Sequence, residues 1–222
     1  MSEEYQTEEE QIDAIKRWWK ENGKSIILGF VLGIGGIGGF RYWQANVDEQ
    51  AKIASTHFEE IVALSAKDKK EFIEKVMEVE KLHSGKTYAD LTAFVAAKKL
   101  VDAKNYKEAK QQLEWVVENS SDESFVHLAK IRLVKVLLQL NENTEALTLL
   151  NNSKPDGFES TYAELKGDVY SALRIYTKAK VEYQIALNKI NPGDRRAAAI
   201  EMKSNNLPAS DQPLTKPTTG KL

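Results

Sequence analysis

The sequence predicts an all-α chain in which a single membrane-crossing helix near the N-terminus is followed by a solenoid of helical hairpins. Three observations carry that reading. An uncharged, glycine-rich apolar stretch lies between Lys24 and Arg41. Beyond it the chain is rich in helix formers and has no proline between Phe40 and Lys154. Small and aromatic residues then recur at a near-constant period.

Residues 1–23 form a charged leading segment. Its acidic start, Glu3, Glu4 and Glu8 to Glu10, reads as a solvated stretch. Ile12, Ile15, Trp18 and Trp19 recur at helical spacing among Lys16, Arg17 and Lys20, which predicts a short basic amphipathic helix lying on an anionic membrane surface.

The span is assigned to residues 24–43. Roughly 16 residues separate its two cations, fewer than the ~20 that usually cross a bilayer. Lys24 and Arg41 snorkel toward the headgroups, and Trp18, Trp19, Tyr42 and Trp43 supply aromatic belts, so the full segment is long enough. A cleaved signal peptide has a short basic start and a small-residue cleavage site. This stretch instead follows a long charged segment and runs into Arg41-Tyr42-Trp43. Lys16, Arg17, Lys20 and Lys24 precede the span while only Arg41 and Lys52 closely follow it, which predicts a cytoplasmic N-terminus. In a bacterial inner membrane the remainder then lies in the periplasm. Gly33 to Gly38 also spell G-x-G-x-x-G, yet no strand-helix-strand unit surrounds them, so a dinucleotide site is rejected. In lipid, Gly29, Gly33 and Gly36, with Gly35 and Gly39, allow another transmembrane helix to approach closely, or are simply tolerated in a flexible span.

Residues 44–207 carry the hairpins, with breaks at Ser84-Gly85, Asn119 to Asp122, Asn151 to Gly157 and Asn191 to Gly193. A period near ~34 residues with small residues at fixed places is the tetratricopeptide signature. Its clearest copy is Gly167, Tyr170, Tyr176, Ala179, Tyr183 and Ala186, followed by Asn191-Pro192. An earlier copy has Ala97, Leu100, Tyr106, Ala109 and Leu113, and a degenerate one between them has Val134, Leu137, Ala146 and Leu150. Ala109, Ala146 and Ala179 are the expected points of close helix crossing, with Tyr106 and Tyr176 beside the turns. Helices within Gln44 to His83 are expected to cover the front of the array and Arg195 to Leu207 to close its back. The tail, 208–222, contains Pro213 and Pro217 among polar residues and is expected to be disordered.

Composition narrows the function. The 222 residues are 42% hydrophobic, enough for one domain and an anchor, with a net charge of -2 and a pI near 6.0. Charges of both signs alternate along the chain, so no basic face is offered to nucleic acid. The chain has no cysteine, which removes disulfides and thiolate chemistry. His57, His83 and His127 stand far apart in different predicted helices, without a metal-binding histidine pair or a nucleophile elbow. Glu59-Glu60 and Asp122-Glu123 read as solvated faces or helix starts. A catalytic site, a cofactor and a metal are therefore not expected.

The N-terminal block, with Lys16-Arg17-Trp18-Trp19, Glu21-Asn22-Gly23-Lys24, the glycine-rich span and Arg41-Tyr42-Trp43, closely resembles the YfgM family. Met202 to Leu207 is similar to that family's final helix, and only the tail after Pro208 falls outside the pattern. The resemblance implies an ancillary inner-membrane subunit of the SecYEG translocon that works with the membrane-anchored chaperone PpiD on emerging exported proteins. Carried over by the same resemblance, tetratricopeptide geometry turns Leu91, Phe94, Lys98, Val101, Leu128, Ile131, Lys135 and Leu138 toward a groove. So apolar a set suits hydrophobic segments of unfolded chains or a partner helix, or else is covered by the helices of residues 44–83. A self-assembling membrane-anchored structural protein and a membrane-tethered enzyme are the competing classes.

Overall fold

The computed structural model describes residues 8–65 and 68–211. The first seven residues, with Glu3 and Glu4, and the tail from residue 212 onward lie outside the described residues. Among the described residues the chain is helical without a strand. It divides into two units whose boundary falls between Ile53 and Ala54.

Among the described residues the first unit belongs to a single helix, α1 (Glu8–Ala63). The basic residues before the span do not form a separate surface helix, since the same helix continues from them without a break. α1 contains a stretch long and apolar enough to cross a membrane, with a mean hydropathy of 1.5 over its most apolar window. Only 6% of that window is buried, which separates it from the core helix of a soluble domain. Phe30, Val31, Leu32, Ile34, Ile37 and Phe40 are all exposed. Six glycines between Gly29 and Gly39 make this a poor helix former in water, at roughly 1 kcal/mol each. In lipid the balance reverses, because an unpaired peptide group costs several kcal/mol and every such group is satisfied within a helix. Toward the start of the span, the Trp19 ring lies against Gly23, where an added Cβ would sit 3.3 Å from it.

The second unit begins with the end of α1, where Ala54 and Ile61 are buried, and α2 (Lys69–Leu82), which buries Phe72, Val76 and Val79. Three hairpins follow: α3 (Thr87–Asp102) with α4 (Tyr106–Asn119), α5 (Glu123–Gln139) with α6 (Asn143–Asn151), and α7 (Glu159–Ala172) with α8 (Tyr176–Lys189). The final helix, α9 (Arg196–Asn205), buries Ile200. The fold is the all-α, tetratricopeptide-like array that the sequence predicts.

Each hairpin turns in the same way. Lys104, Asn141 and Arg174 adopt φ of 60°. In each turn the following amide bonds back to the helix: Asn105 to the Leu100 carbonyl, Glu142 to Leu137 and Ile175 to Tyr170, at 2.8–2.9 Å. This is the Schellman stop, which satisfies the last carbonyls of the first helix and turns the chain. No glycine supplies the left-handed residue in any of the three.

The hairpin helices then cross where side chains are smallest. Ala109, Ala146 and Ala179 are fully buried, as are Leu100, Leu137, Val134 and Ala186. A Cβ on Gly167 would collide with the Tyr183 ring, so the last hairpin closes still more tightly. One apolar core runs from Ile61 and Phe72 through the first two hairpins to Val169, and a smaller one joins Ala163, Ala179, Tyr183 and Ile200.

Charges tie the layers at their edges. α1 has no basic residue in its last turn. Lys99 of α3 supplies one, donating to the carbonyls of Val62, at 2.6 Å, and Leu64. Lys110 of α4 bonds Glu142 and Glu145 at 2.8 Å each. Asp68 and Asp122 cap α2 and α5 through their side chains. At the start of the tail, Asp211 accepts from the amide and hydroxyl of Thr177, both at 2.8 Å. Glu80 is different: it is 4% exposed and its Oε1 has no hydrogen-bond partner among the described residues. Burial pushes its carboxyl up from 4.5 to about 8.

Replacing Ala109 or Ala179 with leucine should lower the unfolding free energy by about 1–3 kcal/mol through overpacking at the crossing. Unchanged thermal unfolding would show that the helices do not meet there. The folded state holds Glu80 protonated, so the stability this gives is present below pH 4.5 and is lost as pH rises toward about 8. The slope in that window is at most about 1.4 kcal/mol per pH unit. The Glu80→Gln variant should therefore gain on the parent steadily across the window when denaturant unfolding is followed against pH, and parallel stability curves would contradict the assignment.

Candidate protein-binding groove

The groove is built from the first helix of each of the first two hairpins. Phe94, Ala97, Lys98 and Val101 project from α3 at successive helical turns, and Arg132, Lys135, Val136 and Gln139 project from α5. Tyr106 and Leu113 of α4 close the floor. Together they enclose an open cavity of about 550 Å³, within the usual range for ligand sites. Among the described residues of the second unit, none of those lining the cavity comes from the end of α1 or from α2.

Of the residues that the sequence turns toward a groove, the cavity gathers Phe94, Lys98, Val101 and Lys135. Leu91, Leu128 and Leu138 are half-buried and Ile131 is 8% exposed, outside the lining. The missed residue of most consequence is Arg132. Its guanidinium lies 4.7 Å from the centroid of the Phe94 ring, and Phe94 in turn meets Phe125 edge-on at 5.8 Å. Burial lowers the Arg132 pKa, as expected for a cation losing water without gaining an anion. Arg132 stands one residue beyond the groove-facing stripe, and its reach over Phe94 depends on side-chain length and on the neighbouring hairpin.

The glycines of the span stand in the open. A Cβ at Gly29, Gly33 or Gly36 would meet nothing within 4 Å. The histidines correct the sequence reading of three separated residues. His57 of α1 and His83, which caps the C-terminal end of α2, come together with Nδ1 3.1 Å from Nε2, so one ring donates and the other accepts. Burial, and then the charges of His57 and Lys86, lower the His83 pKa. His127 bonds the Tyr162 hydroxyl at 2.9 Å and stacks on Phe158. Among the described residues no group of three or more histidine, aspartate or glutamate side chains is placed to hold a metal ion.

Residues 16–209 match the family described as tetratricopeptide repeat-like domain. The chain is 33% identical over 200 residues to a Haemophilus influenzae protein named ancillary SecYEG translocon subunit, covering 90% of this chain and 97% of the relative. A protein of the same name from Escherichia coli is 28% identical, with 91% and 98% covered. Another, from Aggregatibacter actinomycetemcomitans, is 32% identical, with 90% and 97% covered. No solved structure matches the chain. With its repeat array and its apolar leading helix matched at nearly full length, the chain belongs to the YfgM family of ancillary SecYEG translocon subunits.

Proposed function

We propose that the chain serves as a non-enzymatic ancillary subunit of the SecYEG translocon. In this reading the segment 24–43 anchors it in the bacterial inner membrane, residues 1–23 stay in the cytoplasm and the repeat domain, 44–207, works in the periplasm. The observation that carries the assignment is coverage: the relatives named for the translocon are matched over 97–98% of their length, anchor and repeats together. Orientation is supported by the four cations from Lys16 to Lys24 against Arg41 and Lys52 beyond.

A repeat array with an open apolar groove is suited to holding protein segments. The partners assigned to it are a PpiD-like membrane-anchored chaperone and segments of emerging exported proteins. Within the bilayer, apolar side chains gain nothing by leaving lipid, so association there depends on close backbone approach. Gly29, Gly33 and Gly36 are the positions proposed for that approach.

The test is made on cells expressing the tagged full-length chain. Protease added to spheroplasts should digest the chain beyond Arg41 and leave the leading segment protected. Affinity purification from mildly solubilised membranes of untreated cells should enrich SecY, SecE, SecG and the PpiD-like chaperone. A repeat domain that resists until the inner membrane is opened would reverse the orientation. Purification without any translocon subunit would remove the assignment.

A further inference from the structure

The repeat register aligns equivalent positions of the three hairpins. Phe94, Ile131 and Glu164 share one, and Lys98, Lys135 and Asp168 share another, each at a fixed offset before the crossing alanines. In the third hairpin these positions are acidic and already neutralised. Lys203 of α9 bonds Glu164 at 2.8 Å and Asp168 at 2.9 Å, and the Tyr183 hydroxyl donates to Asp168 at 2.8 Å. The first two hairpins carry the opposite character at these positions, apolar and basic. Lys98 reaches Asp102 at 2.6 Å, an exposed pair within one helix. Arg132 and Lys135 have no carboxylate partner among the described residues.

We propose that this cavity receives a protein segment carrying an apolar side chain with a carboxylate beside it, the apolar group entering between Phe94, Val101 and Val136 and the carboxylate reaching Arg132 and Lys135. The inference rests on the reading of the groove as a protein-binding surface and adds the chemistry of its occupant. Burying the apolar side chain is favourable by area alone but selects little. Selection comes from the charge. The Arg132 guanidinium carbon lies 4.7 Å from the centroid of the Phe94 ring, so the cation already stands beside the apolar entry, and an incoming carboxylate meets a cation that has lost part of its water. A segment bearing lysine in place of the carboxylate would instead bring like charge against two unneutralised cations.

The experiment uses the full-length chain in nanodiscs of uncharged lipid, so that neither detergent nor lipid charge competes for the cavity. Two short fluorescent peptides serve as probes, identical with one phenylalanine but flanked by glutamates in one and lysines in the other. Fluorescence anisotropy should show the glutamate peptide binding about 10-fold or more tightly, as charge-assisted bonds allow, with the difference shrinking at high salt. Lys135→Glu should reverse the preference and Lys135→Gln should reduce it, both with unchanged thermal unfolding, since Lys135 is exposed. Equal affinity for the two peptides, or a preference that ignores both substitutions, would overturn the proposal. So would concentration-dependent self-association abolished by Lys135→Glu, which would give the cavity to a second copy of this chain. Translocon co-purification persisting alongside equal peptide affinity would sink this inference alone, whereas a selective peptide site without co-purification would sink only the translocon assignment.

Discussion

The close crossing of two helices at an alanine is the constraint on which the repeat unit depends. With Ala109, Ala146 and Ala179 wholly buried, the paired helices approach until their larger neighbours interlock, and each hairpin becomes a slab with two apolar sides. One side is covered by the next slab, which is why the array needs ends. The end of α1 with α2 provides the first, and α9 the last. The same crossing sets the first helices of adjacent hairpins side by side, and the cavity between α3 and α5 follows from that placement rather than from a loop.

Electrostatics divides the array. Around the last hairpin, Glu164 and Asp168 are matched by Arg196 and Lys203, so this end is closed both sterically and electrically. Around the first two, half-buried Val101 and Tyr106 and exposed Arg132 and Lys135 line an open cavity, the two cations without a carboxylate partner among the described residues. The leading helix shows the same logic in another solvent: its exposed apolar residues and glycines are unfavourable in water and favourable in lipid. An apolar leading helix and a repeat domain with an open groove are thus two consequences of where the chain leaves its surface exposed.

Much of this was legible because small residues and breakers have few physical reasons to recur. Ser84-Gly85, Asn119 to Asp122, Asn151 to Gly157 and Asn191 to Gly193 all coincide with ends of helices. The turns at Lys104, Asn141 and Arg174 were harder to read, because two long basic residues occupy backbone conformations usually marked by glycine. Their signature is a pair of backbone hydrogen bonds, which side chains do not announce. Half of the groove set enters the cavity because helical periodicity fixes the facing stripe, as with Phe94 and Lys98. Arg132 and the His57–His83 pair escaped because both depend on which helices become neighbours. The end of α1 escaped for a similar reason: its C-terminal carbonyls are met by Lys99, far away in sequence.

The central claim is that the groove of the first two hairpins, not the outer surface of the array, meets protein partners. Site-specific photo-crosslinking in living cells tests it most directly, with the photoreactive residue placed at Lys98 in the groove and, as controls, at exposed Lys70 on α2 and Gln184 on α8. The account predicts a discrete protein adduct from Lys98, identified by mass spectrometry as a translocon component, the PpiD-like chaperone or an exported chain, and little from the two controls. Adducts arising from Lys70 or Gln184 while Lys98 gives none would contradict it.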